Sequence, residues 1–353
     1  MEKIKVLIVD DSALTRKVLR TILEEDEEFE VIGIARDGVE AVNKARELKP
    51  DVVTMDINMP QLDGLTALQI IVNEKICPVV VVSSLTTEGA LTTFEALELG
   101  AFDYVAKPGG TISAKMDVVA DELRTKLKAA VRNKRRLYKE RKKVTIEPEI
   151  LKPKKERIRE ITDYKAVVIG ISTGGPKTIY DVLPYLPADL NAAVFLIQHM
   201  PPNFTGQFAE RLDRYCQLKV KEVEATDKVA PGICFVGKGG YHLTLYKKSE
   251  GDIIIRTPSL PEHLFKPSVD VCMESVLKVF GNKTIGVLMT GMGDDGAAAM
   301  LKIKQAGGRT IAESEETAIV FGMPARAIEL GAVDVVAPSY KIAEEIIKVV
   351  NED

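Results

Sequence analysis

The sequence lacks several features that mark specialised classes of protein. Its 353 residues include only four cysteines, Cys77, Cys216, Cys234 and Cys272, and no two of them form a C-x-x-C pair. This spacing disfavours a metal-binding cysteine cluster and a disulfide framework, and it favours a reducing compartment. No hydrophobic run is long enough for a signal peptide or a membrane-spanning helix. We therefore expect a cytoplasmic protein.

Positive charge is concentrated in one segment. Between Arg124 and Lys143, eleven Lys and Arg residues stand against a single Glu, whereas the formal net charge of the whole chain is −4. A basic run of this density can bind nucleic acid or anionic lipid. The segment contains only one aromatic residue, Tyr138, and no nucleic-acid-binding motif lies beside it. We interpret it as a solvated linker helix and predict neither nucleic-acid binding nor membrane insertion.

The first 122 residues alternate short apolar runs with helical patterns. KVLIVD, EVIGIA, DVVTMD, PVVVVSS and DYVAKP are rich in Val and Ile without strict alternation, which is typical of buried parallel strands. Helical spacing separates them. Five such βα units predict an α/β domain with a five-stranded doubly wound parallel sheet of flavodoxin-like topology.

A charged segment separates this domain from a second βα series. Residues 123–160 are rich in charge and contain Pro148 and Pro153, so we predict a linker there. Residues 161–353 contain the strand patterns KAVVIG, AAVFLIQHM, TIGVLMTG, RTIAES and AVDVVAP. They predict a second doubly wound, mostly parallel α/β sheet. Between them, VKEVEATDKVAPGICFVGKGGYHLTLYKKSEGDIIIRT has short strands and Gly-rich turns, which predicts an antiparallel β insertion.

Polar side chains end the predicted strands of the first domain. Asp10 and Asp11 end the first strand, Asp56 the third, Ser83 the fourth and Lys107 the fifth. Parallel strands align their carboxyl ends, so we expect these side chains to converge. Three crowded carboxylates favour a hard cation such as Mg²⁺, and a lysine opposite them can neutralise developing charge. This set suits the receipt of a phosphoryl group on a carboxylate.

The motifs VDDS, MDINMPQLDG and YVAKP in the same region resemble the receiver domain of bacterial response regulators. The resemblance implies that Asp56 accepts the phosphoryl group. It further implies Mg²⁺ as cofactor and a switch that reports phosphorylation. The residues that it assigns are Asp10, Asp11, Asp56 and the carbonyl of Asn58 for the metal, and Ser83, Tyr104 and Lys107 for the switch.

The glycine cluster in VVIGISTGGPKTI allows two interpretations. A dinucleotide fingerprint would require G-x-G-x-x-G, and a P-loop would end in G-K-S/T, but the glycines fit neither spacing. Residues 170–174 instead form G-x-S-x-G between a predicted strand and a helix. In that setting a sharp turn exposes the serine hydroxyl. We therefore predict that Ser172 is a nucleophile.

A serine nucleophile requires a base, and the chain has only three histidines. His199 ends the strand AAVFLIQHM, at the same sheet edge as Ser172. His242 lies in the predicted antiparallel insertion, and His263 lies in a loop. Because carboxyl ends of parallel strands meet at one edge, position favours His199.

The histidine in turn requires an acid, and GMGDDGAAAM follows a third strand. Asp294 and Asp295 both lie there, and the pattern alone does not choose between them, since an acid at this place can also cap the following helix. Backbone N–H groups after Ser172 and in the 291–293 loop can receive an oxyanion. The chain order Ser, His, Asp differs from the Ser, Asp, His of α/β-hydrolases.

A receiver-like domain, a charged linker, and the motifs GISTGGP, QHMPPNFTGQFAERL, KPSVD, TGMGDDGAAAM and FGMPARAI together resemble the chemotaxis response regulator protein-glutamate methylesterases. The resemblance implies Asp295 as the acid, and Thr173 and Met292 as backbone oxyanion donors. It implies hydrolysis of glutamate γ-methyl esters on chemoreceptors without a cofactor, and deamidation of receptor glutamines. A histidine kinase would be the phosphodonor, and the protein would be recruited to membrane receptor clusters.

Two other functions remain open at this level. A response regulator with a binding output would bind nucleic acid through the basic segment and would not depend on Ser172. A general hydrolase would turn over small esters or peptides without any receptor. No helix-turn-helix pattern supports the first alternative.

Overall fold

A computed structural model describes residues 2–84, 86–107, 114–134 and 163–352. The chain divides into two compact units, Met1–Thr145 and Ile146–Asp353. Most of the predicted linker, including the second half of the basic segment, lies outside the described residues. Within the described residues, no helix has the length and apolar character needed to cross a membrane.

The first unit is a parallel sheet of five strands in the order β2-β1-β3-β4-β5, as predicted. Its elements are β1 Ile4–Val9, α1 Ala13–Glu24, β2 Phe29–Ala35, α2 Gly38–Leu48, β3 Val52–Met55, α3 Gly64–Asn73, β4 Val79–Ser83, α4 Thr87–Leu99, β5 Asp103–Ala106 and α5 Ala114–Arg132. The strand order reverses between β1 and β3. Ligand crevices in open α/β sheets lie at such a reversal, beyond the carboxyl ends of the strands.

The first residues of the helices in this unit lie close to the ends of the strands that precede them. Ser12 and Asp63 are N-caps of α1 and α3, and each accepts the backbone N–H of the residue three positions later. Such a cap contributes about 1 kcal/mol. The backbone N–H of Ser12 also donates to Asp10 Oδ1 at 2.9 Å. The start of α1 therefore orients the acid that ends β1.

The second unit contains a parallel sheet of seven strands in the order β14-β13-β12-β6-β7-β9-β8. Its elements are β6 Lys165–Ile171, α6 Gly175–Thr178, β7 Ala192–Gln198, α7 Phe204–Tyr215, β8 Lys219–Glu222, β9 Ile233–Val236, β10 Thr244–Lys247, β11 Ile253–Arg256, α8 Val269–Phe280, β12 Thr284–Leu288, α9 Ala297–Gln305, β13 Arg309–Glu313, α10 Met323–Glu329, β14 Val335–Ala337 and α11 Ser339–Asn351. The order reverses between β6 and β12, so the crevice lies where the GISTG and GMGDD segments begin.

The antiparallel insertion is present but shorter than the sequence pattern suggested. Strands β10 and β11 pair antiparallel as a separate ribbon. Strands β8 and β9 instead pair parallel with each other, and β9 pairs parallel with β7, so they extend the main sheet. Their short length and Gly-rich flanks are typical of hairpins, and only the tertiary pairing reveals that they continue the βα series.

A continuous apolar core supports the sheet of the second unit. Phe195 in β7 and Phe235 in β9 are fully buried and stack with their ring centroids 5.8 Å apart. Val269 and Met273 of α8 are buried in the same cluster. Each such side chain contributes about 1.5–3 kcal/mol when buried. This packing fixes α8, whose first residues contact the candidate site.

Candidate active site

Ser172 lies on a sharp turn between β6 and α6. Its backbone N–H donates to the carbonyl of Thr290 at 2.9 Å, and its carbonyl accepts the N–H of Gly175 at 2.8 Å. Gly174 has φ of +78°, and a Cβ there would lie 2.6 Å from Ile319 Cβ. Only glycine meets both conditions without strain. The turn leaves the serine side chain partly exposed at the sheet edge.

The structure brings Ser172, His199 and Asp295 together in one hydrogen-bonded chain. His199 Nδ1 lies 3.1 Å from Ser172 Oγ, and His199 Nε2 lies 2.7 Å from Asp295 Oδ2. An ionised carboxylate can only accept, so Nε2 carries the proton and donates to Asp295. Nδ1 is then the acceptor for the serine hydroxyl. This arrangement suits proton removal from Ser172.

Asp295, and not its neighbour Asp294, faces the imidazole. The side chain of Asp294 is exposed, whereas Asp295 is 5% exposed. Position on the strand end alone did not separate the two, and the family resemblance favoured Asp295. The contact with His199 agrees with that assignment.

The first residues of α8 hold Asp295 as a carboxylate. The backbone N–H groups of Val269 and Asp270 donate to it at 2.8 and 3.0 Å, and Ser268 Oγ donates at 2.9 Å. Burial by itself raises the pKa of Asp295, but the hydrogen bond and charge of His199 and these N–H donors outweigh burial and lower the pKa to about 2. The acid therefore stays ionised near neutral pH.

Sequence reasoning assigned no role to Ser268, although KPSVD was singled out as a motif. Ser268 is the N-cap of α8 and accepts the N–H of Val271. Its hydroxyl then donates to Asp295. A serine just before an apolar helical run is a recognisable N-cap signal. The pattern does not reveal that the same hydroxyl reaches an acid 27 residues later.

The two backbone groups predicted as oxyanion donors are those of Thr173 and Met292. Thr173 follows Ser172 directly, and Met292 lies in the loop after β12. Among the hydrogen bonds of the described residues, neither N–H has an acceptor. Gly291, next to Met292, approaches closely: a Cβ on it would lie 2.8 Å from Ser172 Cβ. Free donors beside the serine are what an oxyanion site requires.

The other two histidines do not reach Ser172. His242 is buried, and its Nε2 donates to the carbonyl of Pro261 at 2.9 Å. His263 Nε2 lies 3.8 Å from Asp295 Oδ1, on the side of the carboxylate away from the serine's partner. His199 is thus the histidine in hydrogen-bond contact with the serine.

In the first unit, the predicted acids and lysine converge at the carboxyl edge of the sheet. Lys107 Nζ lies 3.0 Å from Asp10 Oδ2 and 2.8 Å from Asp56 Oδ2. One oxygen from each of Asp10, Asp11 and Asp56 can lie within 4.8 Å of the others. Asp10 Oδ2 is buried without a hydrogen bond, its approach to Lys107 being a charge contact. An all-oxygen set with an unsatisfied carboxylate fits a hard divalent cation such as Mg²⁺.

Burial and the ion pairs of Lys107 have the largest effects on the pKa values of this acidic site. Burial raises the pKa of Asp56, and the charge of Asp10 adds to that rise, while Lys107 opposes it. For Lys107, burial lowers the pKa, but its ion pairs with Asp56 and Asp10 outweigh burial and raise the pKa. Lys107 therefore stays charged, and the site carries more negative charge than one lysine balances.

The remaining residues assigned to the receiver site lie nearby on the chain but make other contacts. Ser83 Oγ donates to the carbonyl of Gly89 at 3.2 Å and accepts from Thr93 Oγ1 at 2.7 Å. The Tyr104 ring is buried, and burial raises its pKa well above the usual value. Asn58 is exposed in the loop after Asp56.

Together, these features define a class. The second unit is a doubly wound α/β sheet with a Ser-His-Asp chain at its carboxyl edge, which is the constellation of a serine hydrolase on a fold other than the α/β-hydrolase. The first unit has the topology and the acid-lysine site of a phosphoryl-accepting domain.

Comparisons with known proteins agree with both halves. The family model described as CheB methylesterase matches residues 167–346, and that of the response regulator receiver domain matches residues 6–115. A relative from Syntrophomonas wolfei, named protein-glutamate methylesterase/protein-glutamine glutaminase 3, is 60% identical over 99% of each chain. A relative from Caldanaerobacter subterraneus, named protein-glutamate methylesterase/protein-glutamine glutaminase, is 54% identical over 99% of this chain and 98% of its own.

A solved structure covers the second unit. The catalytic domain of Thermotoga maritima CheB methylesterase is 41% identical, with a TM-score of 0.52 over 53% of this chain and 100% of its own. The chain therefore belongs to the CheB methylesterase family and carries a response regulator receiver domain. It is an enzyme, a methylesterase that also contains a response regulator receiver domain.

Substituting Gly291 by alanine tests the close approach behind Ser172. The added methyl would collide with Met323 Sδ and would lie 2.8 Å from Ser172 Cβ, so the turn must shift. Misplacement of a nucleophile by about 1 Å can cost about 100-fold in rate, and we expect Gly291→Ala to lower the initial rate of ester hydrolysis by that order. Gly206→Ala is the matched control, since its nearest neighbour would lie at 3.7 Å. Equal rates for the two variants would contradict the prediction.

Proposed function

We propose that this chain hydrolyses γ-methyl esters of glutamate side chains on the cytoplasmic helices of chemoreceptors, which releases methanol and serves adaptation in chemotaxis. The observation that carries the proposal is the continuous hydrogen-bonded chain from Ser172 through His199 to Asp295. It occurs in a chain whose relatives are named methylesterases. The same relatives are named glutaminases, so we include deamidation of receptor glutamines.

In the first half-reaction, His199 Nδ1 takes the proton of Ser172 as Oγ attacks the ester carbonyl. The new C–O bond forms an acyl-enzyme, and the C–O bond to the methoxy group breaks. His199 returns the proton to the leaving oxygen, and methanol departs. Asp295 holds the ring by accepting from Nε2 and stabilises the imidazolium formed meanwhile.

In the second half-reaction, water replaces methanol. His199 removes a proton from the water as it attacks the acyl carbonyl, and then returns the proton to Ser172 Oγ. Glutamate and free serine result. With a glutamine substrate the leaving group of the first step is ammonia, and the second step is identical. General base assistance of this kind contributes about 10²–10⁴-fold.

The carbonyl oxygen becomes an anion in both steps. The N–H groups of Thr173 and Met292 have no acceptor among the described hydrogen bonds, and they are the donors that we assign to this anion. A single oxyanion donor is worth about 3–4 kcal/mol in enzymes of this type. Nucleophile, base, acid and oxyanion donors all come from the chain, so the proposed esterase reaction calls on no cofactor.

The receiver domain controls this activity in the proposal. Asp56 accepts the phosphoryl group from a chemotaxis histidine kinase, with Lys107 2.8 Å away to balance the added charge. Asp10, Asp11, Asp56 and the carbonyl of Asn58 would hold Mg²⁺, which neutralises phosphoryl oxygens when bound. Ser83 and Tyr104 would change position to report phosphorylation. Ser83 would then exchange its contact with Gly89 for one with the phosphoryl group.

The boundaries, partners and location follow the same proposal. We assign residues 1–122 to the receiver domain, 123–160 to a basic linker and 161–353 to the catalytic domain. Helix α5 runs through residue 122 without a break, which supports a helical start to the linker. The partners are methylated chemoreceptors and the kinase, with no nucleic acid and no membrane insertion. The protein would be cytoplasmic and recruited to receptor clusters.

Substituting Asp56 by asparagine tests the regulatory half of the proposal. An amide cannot accept a phosphoryl group, so we expect Asp56→Asn to lose phosphorylation and all stimulation of methanol release by a small phosphodonor with Mg²⁺. Its basal release should remain. Phosphorylation is followed by intact-protein mass spectrometry and methanol by gas chromatography. Asp63→Asn is the control, because asparagine keeps the N-cap acceptor of α3. Stimulation of Asp56→Asn equal to the control would exclude Asp56 as the acceptor.

A further inference from the structure

A segment between β11 and α8 crosses the catalytic histidine. This strap, residues 258–267, brings Phe265 against His199. The two rings are parallel to within 8°, and their centroids are 4.0 Å apart. Nothing in the triad mechanism requires an aromatic ring there. Aromatic pairs usually have their ring centroids farther apart than this. The two rings are therefore in close face-to-face contact.

We propose that Phe265 is a positioning residue for the methylesterase reaction: its ring fixes the plane of the His199 imidazole and stabilises the imidazolium that forms in each half-reaction. The inference rests on the proposed function, because it concerns the same histidine. Phe265 acts through His199 and need not touch the substrate.

The face of the ring and its edges have separate partners. Asp295 accepts from one edge of the imidazole, and Ser172 contacts the other edge. These two contacts do not prevent the ring from tilting out of its plane, so groups that pack on its faces must limit the tilt. Phe265 covers one face. A cation over an aromatic face is stabilised by the negative charge density of that face, and more strongly when water is excluded. The neutral imidazole gains less, so the contact favours the state reached during catalysis.

A buried histidine holds the strap in place. The backbone N–H of His242 donates to the carbonyl of Pro258 at 2.8 Å, and its Nε2 donates to the carbonyl of Pro261 at 2.9 Å. Its Nδ1 accepts the N–H of Ser268 at 3.3 Å. Burial lowers the pKa of His242, which agrees with a neutral ring that donates from one nitrogen and accepts at the other.

The strap is therefore continuous with the support of the catalytic acid. Phe265 contacts the imidazole, and Ser268, three residues later, donates to Asp295. The backbone N–H of Gly240 donates to the carbonyl of Lys266 between them at 2.9 Å. One segment of the chain thus sets both the face contact of the base and the hydrogen bonds of its acid.

An alternative role for the Phe265 ring would be only to exclude water from His199. The pH profile of kcat distinguishes this role from stabilisation of the imidazolium. The titratable groups that face the imidazole are Asp295, 2.7 Å from Nε2, and His263, 3.8 Å from Asp295. Loss of a stabilising π face makes the imidazolium less stable, so the acidic limb of the profile moves to lower pH. Loss of a water barrier alone would hydrate the imidazolium and move that limb to higher pH.

The test compares Phe265→Leu, which keeps an apolar cover, with Phe265→Tyr, which keeps the ring. The full-length chain is assayed for methanol release from methylated receptor membranes at pH 5–9, with the same phosphodonor and Mg²⁺ throughout. We expect Phe265→Leu to lower kcat about three- to tenfold with less than twofold change in KM, and to move the acidic limb down by about half a unit. Phe265→Tyr should remain within twofold of wild type and keep its limb.

Controls keep the possible failures apart. Leu260→Ala alters an exposed side chain on the same strap and should match wild type. The acidic limb of His263→Gln is compared with that of the double variant His263→Gln/Phe265→Leu. The same downward shift between these two variants is expected, and it would show that the shift does not come from His263. Absence of Ser172-dependent methanol release in the wild type would mean that the proposed function fails. With normal release by the wild type, three results would show that the positioning role is wrong. Phe265→Leu could retain the wild-type kcat and acidic limb, or it could move the acidic limb to higher pH. Phe265→Tyr could also lose as much kcat as Phe265→Leu.

Discussion

Replacing Ser172 by alanine is expected to reduce methanol release by about 10⁴- to 10⁶-fold, close to the uncatalysed rate. The substitution removes the hydroxyl to which we assign formation of the acyl-enzyme, and His199 is left without this partner on Nδ1. In enzymes with this triad, loss of the serine costs about as much as loss of all three members. The oxyanion donors remain, so a small residual rate over water is expected.

The fold should survive the Ser172 substitution. The backbone contacts of the turn, from Ser172 N–H to Thr290 and from Gly175 N–H to Ser172, do not involve the hydroxyl. The far-ultraviolet circular dichroism spectrum and the binding of receptor membranes should therefore match wild type. Ser249→Ala, at an exposed turn position, is the matched control and should keep full activity. A rate for Ser172→Ala within tenfold of the control would rule out Ser172 as the nucleophile.

The second large effect is expected for Asp295→Asn, at about 10⁴-fold in kcat. Loss of the negative charge removes the stabilisation of the imidazolium, and an amide N–H₂ turned toward His199 would favour the tautomer that cannot accept from Ser172. The amide also cannot accept all the donors of the carboxylate, because Ser268, Val269 and Asp270 occupy both of its oxygens. Both effects act on kcat more than on KM.

Asp294→Asn provides the matched control for that prediction. Asp294 is the exposed neighbour of Asp295, and nothing in the described contacts joins its side chain to His199. We expect its kcat to stay within twofold of wild type. Steady-state rates over a range of receptor-membrane concentrations separate kcat from KM. If both variants lose activity equally, or if Asp294→Asn loses more, the acid has been assigned to the wrong residue.

Much of the site could be predicted because strand ends are readable in a sequence. Ser172 and His199 each follow an apolar strand, and parallel strands must bring their carboxyl ends to one edge. The same reasoning placed Asp10, Asp56 and Lys107 together, and the distances agree. In each case the pattern is local and the geometry is imposed by the sheet.

Other parts of the site depend on contacts that no local pattern encodes. Phe265 and Ser268 lie in and just after a segment with no regular period, and each contacts a site residue that is distant in the chain: Phe265 stacks on His199, and Ser268 donates to Asp295. The choice of Asp295 over Asp294 likewise depends on which carboxylate faces the start of α8.

The contacts of the Ser172–His199–Asp295 chain also bear on the alternative functions. A purely binding output would not need a buried carboxylate, a histidine and a serine in hydrogen-bond contact at a strand-order reversal. The membership of the chain in the CheB methylesterase family argues in the same direction. A hydrolase for small esters would use the same triad, so receptor dependence distinguishes it from the proposed function.

The most direct test of the central claim, that Asp56 controls an esterase built on Ser172, is one comparison of methanol release from methylated receptor membranes. Wild type, Asp56→Asn and Ser172→Ala are each measured with and without a small phosphodonor and Mg²⁺. The account predicts stimulated release by wild type, unstimulated release by Asp56→Asn, and almost none by Ser172→Ala in either condition. Equal release by Ser172→Ala and wild type, or stimulation that persists in Asp56→Asn, would contradict it.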